Sequence, residues 1–400
     1  MKKLYRRGLK GILAVVLAGA TLQVGAPPSL MAGVSDAGPD ATIALILTDI
    51  EENRLDVALS RTENLISLYP NFRLAHLIRG DLLLARAQPL QTLGNVKGSD
   101  VRLNELRAEA SARLNGYLKR PESNQVPRYL LQMNPEQQYA VVVDTRQSRL
   151  YLYRNTNGRP SLVADWYASQ GRGGSEKQRE GDLKTPIGVY YVTSMLPRKK
   201  LPDYYGNRAF PINYPNEWDR MQGRTGYGIW LHGVPSDTYA RAPLASEGCV
   251  VLSNQDLDTL TRYVQIGVTP VIISNGVEWA SLDDWQVERK ALSDSIEQWR
   301  RDWANRDTER YLSHYSKRFL AGKTDLTAWR QQKQAANASK AWIKVELNGL
   351  TVLRSPGNEE LVMVSFEQDY RSNNLNDRMR KRQYWIREDG NWKIIYEGAA

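Results

Sequence analysis

Apolar positions along the chain change their spacing twice, and those changes divide it into three blocks. Through residues 40–133 the spacing is helical: Leu55, Ala58, Leu59, Thr62, Leu65, Ile66 and Tyr69 fall three and four apart on one helical face. Pro70 and Asn71 break that helix. Leu74, Leu77, Ile78, Leu82 and Ala85 then repeat the pattern, and Leu103, Leu106, Ala110, Leu114 and Tyr117 give a third face. Through residues 136–276 the spacing turns strand-like. Residues 139–143 are a continuous apolar run, and residues 150–153 lead through Asn157-Gly158, a hairpin-type turn, into residues 162–167. Residues 189–193, 229–232, 250–252 and 268–273 read as further short strands, with loops at 171–174 and 180–182. Ser253 is placed to cap a helix carrying Leu257, Leu260 and Val264. Through residues 285–400, Leu292, Ile296, Trp299 and Trp303 define one helical face, and Tyr311, Tyr315 and Phe319 another. Strands follow at 343–347, 361–370, 383–387 and 392–396, the last after an Asp389-Gly390-Asn391 turn.

The predicted fold class is therefore multidomain: an N-terminal α-helical module, a mainly β middle domain and a C-terminal α+β domain. The helix–Tyr69-Pro70-Asn71–helix segment resembles one tetratricopeptide unit, and a single unit cannot bury its own face, so it must pack on its neighbours. The helices-then-sheet order of the last block resembles the cone-shaped fold of the SnoaL and nuclear-transport-factor-like families. No convergent acid–base pair is visible there, which implies a docking or dimerisation role. His76 and His314 read as structural. The Arg378–Arg382 run reads as an exposed loop leading into a strand.

Composition adds compartment and exclusions. At roughly 100–200 residues per domain, 400 residues allow two to four domains, and 42% hydrophobic with 24% charged residues argues against global disorder. Lys2, Lys3, Arg6, Arg7 and Lys10 precede a mostly apolar stretch at 12–24 and then Pro27-Pro28, the organisation of an export signal within residues 1–37. Cleavage after Ala20 or Ala37 and retention as a single-pass anchor are both open. Any membrane association would run through that uncleaved segment alone. The formal charge of +10 falls to +5 without those five residues, so most of the basic excess belongs to targeting. The expected location is the periplasm or cell envelope, which makes nucleic acid an unsuitable partner. One cysteine and three histidines exclude an internal disulfide and a multi-cysteine metal site, and no cofactor motif is present.

The same scarcity makes nucleophile–base pairs easy to search. Ile229-Trp230-Leu231-His232-Gly233 is followed after a loop by Ala245-Ser246-Glu247-Gly248-Cys249-Val250. A thiol becomes nucleophilic when a neighbouring imidazole can hold its proton. Gly233 and Gly248 would allow close backbone approach to a substrate, and the N–H groups of Gly248 and Cys249 could form an oxyanion hole. No carboxylate orients His232; the Gly233 carbonyl or Ser246 could do so instead. A lone cysteine is ordinarily a small buried hydrophobe, so the joint pattern carries the signal.

That pattern, with residues 181–188 (Gly-Asp-Leu-Lys-Thr-Pro-Ile-Gly) upstream and Tyr214-Pro215-Asn216, Asp219-Arg220 and Gly223-Arg224-Thr225-Gly226 before the histidine strand, resembles the L,D-transpeptidase (YkuD-type) catalytic domain. The resemblance covers the whole middle block. It implies a cysteine acyltransferase working on peptidoglycan stem peptides, with no cofactor. Cys249 would attack the diaminopimelate carbonyl and release D-alanine, and His232 would move the protons. Ser246, Gly233 and Gly248 would support them, while Arg224, Tyr227, Trp230 and Glu247 are candidate substrate contacts. An amine of a second stem or of an envelope protein would complete a cross-link, and water a hydrolysis. Two departures stand out: Glu247 and Val251 occupy positions where many members carry His and Arg. They resemble a divergent branch that includes amidases releasing protein from peptidoglycan, and they leave a non-catalytic wall-binding scaffold open. An inward-facing Glu247 would raise the thiol pKa. A cysteine protease would need a groove that nothing in the chain suggests.

Overall fold

The computed structural model describes residues 38–95, 100–357 and 359–400; the segment 1–37, read from its sequence as an export signal, lies outside the described residues. Four helices, Pro39–Glu51, Leu55–Leu68, Arg73–Leu84 and Asp100–Leu118, build the first module. The first of these was not singled out by the periodicity. Ile43, Ile46, Leu59, Leu65, Leu74, Ile78, Ala110 and Leu114 fill its core, and Tyr239 from the middle domain completes it. The module does lean on its neighbour, as one helical pair must.

The middle domain folds around two sheets. The larger runs in the order Arg159–Tyr167, Arg149–Thr156, Tyr139–Asp144, Pro270–Ser274, Gly188–Tyr191. Its first hairpin turns through Asn157 and Gly158, both with positive φ (54° and 84°), the geometry that an Asn-Gly pair adopts at low cost. The apolar run in Tyr139–Asp144 does not alternate because both faces of that strand are covered. Val141 and Val143 enter the domain's own core with Leu150, Tyr190, Phe210 and Leu231. Ala140 and Val142 face a second core shared with Leu353, Leu361, Met363 and Tyr384 of the last domain. The smaller sheet runs Val250–Val251, Trp230–His232, Arg208–Pro211, Leu196–Pro197.

The last domain sets helices Leu282–Ala304, Thr308–Ser313 and Leu326–Ala338 against a seven-stranded sheet. Trp299, Trp303, Tyr311, Phe319, Phe366 and Trp385 pack between them. Three expectations need correction. Tyr315 and Phe319 lie on a strand, Tyr315–Ala321, beyond the short helix. A spacing of four suits both a helix turn and one face of a strand, and pairing with Asn391–Ala399 decides it. The Arg378–Arg382 run is likewise not a loop but part of the strand Asn376–Glu388, where Arg378 pairs with Glu367 and Lys381 with Glu397. Residues 125–127 and 130–132, read as the tail of the helical block, are strands. Gln125–Pro127 pairs with Trp279–Ser281, and Leu130–Gln132 forms an edge of the last sheet.

A chain of alternating charges ties the helical module to the middle domain: Glu109–Arg113–Asp40–Arg149–Asp165–Arg120. Arg113 reaches Asp40 at 2.5 Å and Glu109 at 2.8 Å, with its guanidinium 4.1 Å from the centre of the Tyr167 ring. Gly116 makes room: a Cβ there would sit 2.6 Å from Cδ of Arg149. Burial works to raise the Asp40 pKa, but Arg113 and Arg149 outweigh it and hold the carboxylate below its usual range. Asp40→Asn would remove the carboxylate shared by two buried guanidiniums, leaving Arg113 only Glu109 and Arg149 only Asp165, and is expected to cost about 3 kcal/mol. Hydrogen exchange should show protection lost first in residues 39–118; a uniform loss across all three domains would contradict this assignment.

Candidate active site

His232 and Cys249 are placed by strand alternation. Trp230–His232 pairs in parallel with Val250–Val251, Leu231 opposite Val250 and His232 opposite Val251. Leu231 and Val250 point into the core, so Trp230 and His232 on one strand, and Cys249 and Val251 on the other, share the opposite face. The single cysteine and one of three histidines thus meet on one surface of a two-strand frame.

The imidazole is buried, with Nδ1 2.6 Å from the Gly233 carbonyl oxygen. A carbonyl only accepts, so Nδ1 carries the proton and Nε2 keeps its lone pair. Tyr205 stands edge-on at 5.0 Å between ring centroids and packs at a tilt of 46° on Trp230 at 4.9 Å; the Tyr204 ring lies 6.2 Å from the histidine ring. Burial pushes the His232 pKa down to about 3, opposed by the Gly233 bond and reinforced by Arg241. Cys249 is 9% exposed, and its thiol donates to the Gly228 carbonyl at 3.4 Å. Burial pushes it up to about 11, while the main chain of Trp230, Arg241 and Lys177 pull it down and Glu247 adds to the rise. These shifts leave both the thiol and the imidazole neutral near pH 7.

Ser246 does not assist His232. Its Oγ donates to the Cys249 carbonyl at 2.6 Å and accepts from Gly248 N–H at 3.1 Å, locking the turn that presents the thiol. The Gly248 N–H is therefore spoken for and is not an oxyanion donor in this arrangement. Thr185 braces the same turn, donating to the Gly248 carbonyl at 3.0 Å. The two glycines also serve a different purpose from the one expected. At Gly248, φ is +124° and a Cβ would sit 2.7 Å from the Lys184 carbonyl oxygen; at Gly233 it would sit 2.1 Å from Oδ1 of Asn254. Protein atoms, not substrate, occupy that space.

The predicted substrate contacts divide. Trp230 flanks the thiol, and Tyr227 is 75% exposed. Arg224 is instead tied at 2.9 Å to Asp219, the carboxylate of a capping box with Asn216. Glu247 points outward and pairs with Arg172 at 3.2 Å, which accounts for its secondary influence on the thiol. Sequence reasoning missed Asn254, Tyr204, Tyr205 and Arg241. Asn254 was visible only as part of a helix start, yet it buttresses Gly233 and bonds the Asn207 N–H and the Val234 carbonyl. It also missed a buried acid–base cluster in the last domain, where Glu397 takes Lys381, Gln383 and Tyr315. Burial opposes its ionisation, but Lys381 and Lys333 hold Glu397 down at about 2. His314 pairs with Asp302 at 2.7 Å, and His76 reaches the Pro70 carbonyl at 2.7 Å. Among the described residues no cluster of His, Cys, Asp and Glu could hold a metal, and no helix is long and apolar enough to cross a membrane.

A mainly β domain presenting a cysteine beside a tautomer-fixed histidine, followed by an α+β cone, defines a class that known proteins share. Residues 138–273 match the L,D-transpeptidase catalytic domain (YkuD), and residues 291–398 match the Cds6 C-terminal NTF2-like domain. The chain belongs to the L,D-transpeptidase (YkuD) family, in the divergent branch that carries the C-terminal NTF2-like domain. The structure of Bd1075 from Bdellovibrio bacteriovorus is 30% identical with a TM-score of 0.62, over 69% of this chain and 98% of that one. Pgp2 of Campylobacter jejuni, described as a helical cell shape determining protein, is 27% identical with a TM-score of 0.57, over 68% and 95%. YafK of Escherichia coli K12, an L,D-transpeptidase by name, is 35% identical over 89 residues, 22% of this chain; the match spans about a third (31%) of YafK's length.

A thiol held near 11 has about one thiolate in ten thousand molecules at pH 7. Alkylation of Cys249 by iodoacetamide should therefore rise about tenfold per pH unit from pH 7 to 10. A plateau below pH 8 would mean that a thiolate–imidazolium pair already exists in the free protein.

Proposed function

We propose that this protein carries out cysteine-dependent acyl transfer on peptidoglycan stem peptides in the cell envelope. The observation that carries the reading is the shared face of Cys249 and His232, with the Gly233 carbonyl leaving Nε2 of the imidazole unprotonated. Nε2 takes the thiol proton as Sγ bonds to the diaminopimelate carbonyl carbon. The tetrahedral intermediate collapses, the C–N bond to D-alanine breaks, and Nε2–H returns its proton to the departing amine. A thioester on Cys249 remains. An acceptor amine, deprotonated by the same Nε2, attacks it to form the cross-link and regenerate the thiol. The pair starts neutral, so the ionic state is created only while substrate fills the site, where its charge is transient.

Support for the substrate class comes from the family and from the cell-shape role named for the Pgp2 structure. The envelope location agrees with the export organisation of residues 1–37.

Intact-mass spectrometry with purified diaminopimelate-containing tetrapeptide muropeptides tests the reading. A thioester adduct on Cys249, dimeric product and free D-alanine are expected. Cys249→Ala should keep its melting temperature within a few degrees and lose all turnover, and His232→Gln should lower kcat by about 10²–10⁴-fold. Tripeptide without dimer would make the acceptor water, and release of a protein-linked tripeptide alone would make the protein an amidase. No adduct with any of these substrates would leave a wall-binding scaffold.

A further inference from the structure

A groove of about 520 Å³ lies between the helical module and the loop that joins His232 to Cys249. Arg102 and Leu106 form its helical wall, Thr238 and Arg241 its loop wall, and Tyr204 and Ala245 also line it. Two of its lining residues approach the candidate pair. Tyr204 stands 6.2 Å from the His232 ring, and Ala245 directly precedes Ser246, whose Oγ holds the Cys249 carbonyl.

The loop wall is held in place. Asn71 donates to the Ser236 carbonyl at 3.0 Å, Tyr239 N–H donates to the Asn71 carbonyl at 3.1 Å, and the Tyr239 ring sits between Tyr69 and Phe72 at 4.8 and 4.6 Å. On that wall Arg241 lies 4.0 Å over the Tyr204 ring and donates one N–H to the Tyr204 carbonyl at 2.7 Å. Of the acids lining the groove, Glu109 pairs with Arg113 at 2.8 Å and Asp237 with Arg73 at 3.3 Å. Arg102 and Glu105 stand three apart on the opposite helix. Among the described residues Arg241 forms no ion pair, although it is half-buried and oriented by an aromatic face. A guanidinium fixed by stacking, with most of its five N–H donors unused, is a preorganised receptor for one carboxylate.

We propose that Arg241 anchors a free carboxylate of the peptide substrate, so that the stem peptide lies in the groove between the helical module and the catalytic loop. This rests on the function proposed above. Arg241 is a specificity residue with no step in the proton transfers. The groove exists only while the helical module is docked, which gives that module a part in substrate recognition.

Binding can be measured apart from turnover by using Cys249→Ala protein and a disaccharide tetrapeptide whose stem carboxylates are either free or converted to carboxamides. The free-carboxylate ligand should bind about 10- to 100-fold more weakly after Arg241→Gln, with Arg241→Lys in between. The carboxamide ligand should bind both proteins equally. Salt should weaken binding of the free acid to the parent and leave Arg241→Gln nearly unaffected. In the Cys249 enzyme the same change should appear in KM with kcat within a few-fold. Equal affinity of parent and Arg241→Gln, an equal drop for both ligands, or no binding of the free acid to the parent would overturn the proposal. If Arg241→Gln melts early, the Arg241→Lys series and the comparison of free acid with carboxamide on the parent decide it. Turnover with an unmoved KM would sink the anchor and spare the function; carboxylate-selective binding without turnover would do the reverse.

Discussion

Asp40 is the residue on which the arrangement of the first two domains depends. It sits at the start of the first described helix and accepts guanidiniums from the helix Asp100–Leu118 and from the central sheet. Removing an ion from water costs several kcal/mol, and this is offset only where charges alternate and donors are satisfied. In the six-member chain from Glu109 to Arg120 each charge is flanked by its opposite, and the Nε–H of Arg149 is its one buried donor left without a partner. The chain fixes the angle at which the helical module meets the sheet. That angle in turn decides whether Phe72 and Tyr69 can clasp Tyr239, and the clasp holds the loop between His232 and Cys249.

The reacting pair shows the opposite use of burial. Here no countercharge is supplied, and desolvation drives both groups neutral, the imidazole down to about 3 and the thiol up to about 11. A standing thiolate is exposed to sulfenic acid formation, to which a protonated thiol is much less prone. Hydrogen bonds set geometry instead of charge: Gly233 fixes the tautomer, while Ser246 and Thr185 fix the turn. All three use backbone groups, so the site is built more from chain path than from side-chain pairs.

Much of this was legible in the sequence. The glycine-flanked His232 and Cys249 stood out as a nucleophile–base pair, and Asn157-Gly158 announced its hairpin. What stayed hidden has a common physical cause. Asn254 and Tyr205 act on the site from other elements, and no local period reveals that Oδ1 of Asn254 occupies the space beside Gly233. Tyr315 and Phe319 satisfied two periods at once, and only pairing across the sheet could choose between them. The basic run 378–382 read as solvated loop because its partners, Glu367 and Glu397, lie 11 and 16 residues away across strand pairings. Glu247 invited an electrostatic reading that its outward position reduces to a secondary influence.

The C-terminal domain is part of the same packing problem and not a tethered accessory. Strand Tyr139–Asp144 buries Val141 and Val143 against the catalytic core, and Ala140 and Val142 against Leu353, Leu361 and Met363. Tyr151, Tyr153 and Ile272 face the same way, so without the last domain a contiguous apolar sheet face would meet water. Leu130–Gln132 extends the C-terminal sheet, and Gln125–Pro127 pairs just before the long helix Leu282–Ala304, so the linker from the helical module is woven through both junctions. Arg382 adds a polar tie, reaching Glu217 at 2.9 Å beside the capping box that holds Arg224. Any contribution of this domain to activity is therefore first a contribution to the sheet that carries the catalytic frame. Point changes on its outer surface, which leave that apolar contact whole, are the means of separating a recognition role from a structural one.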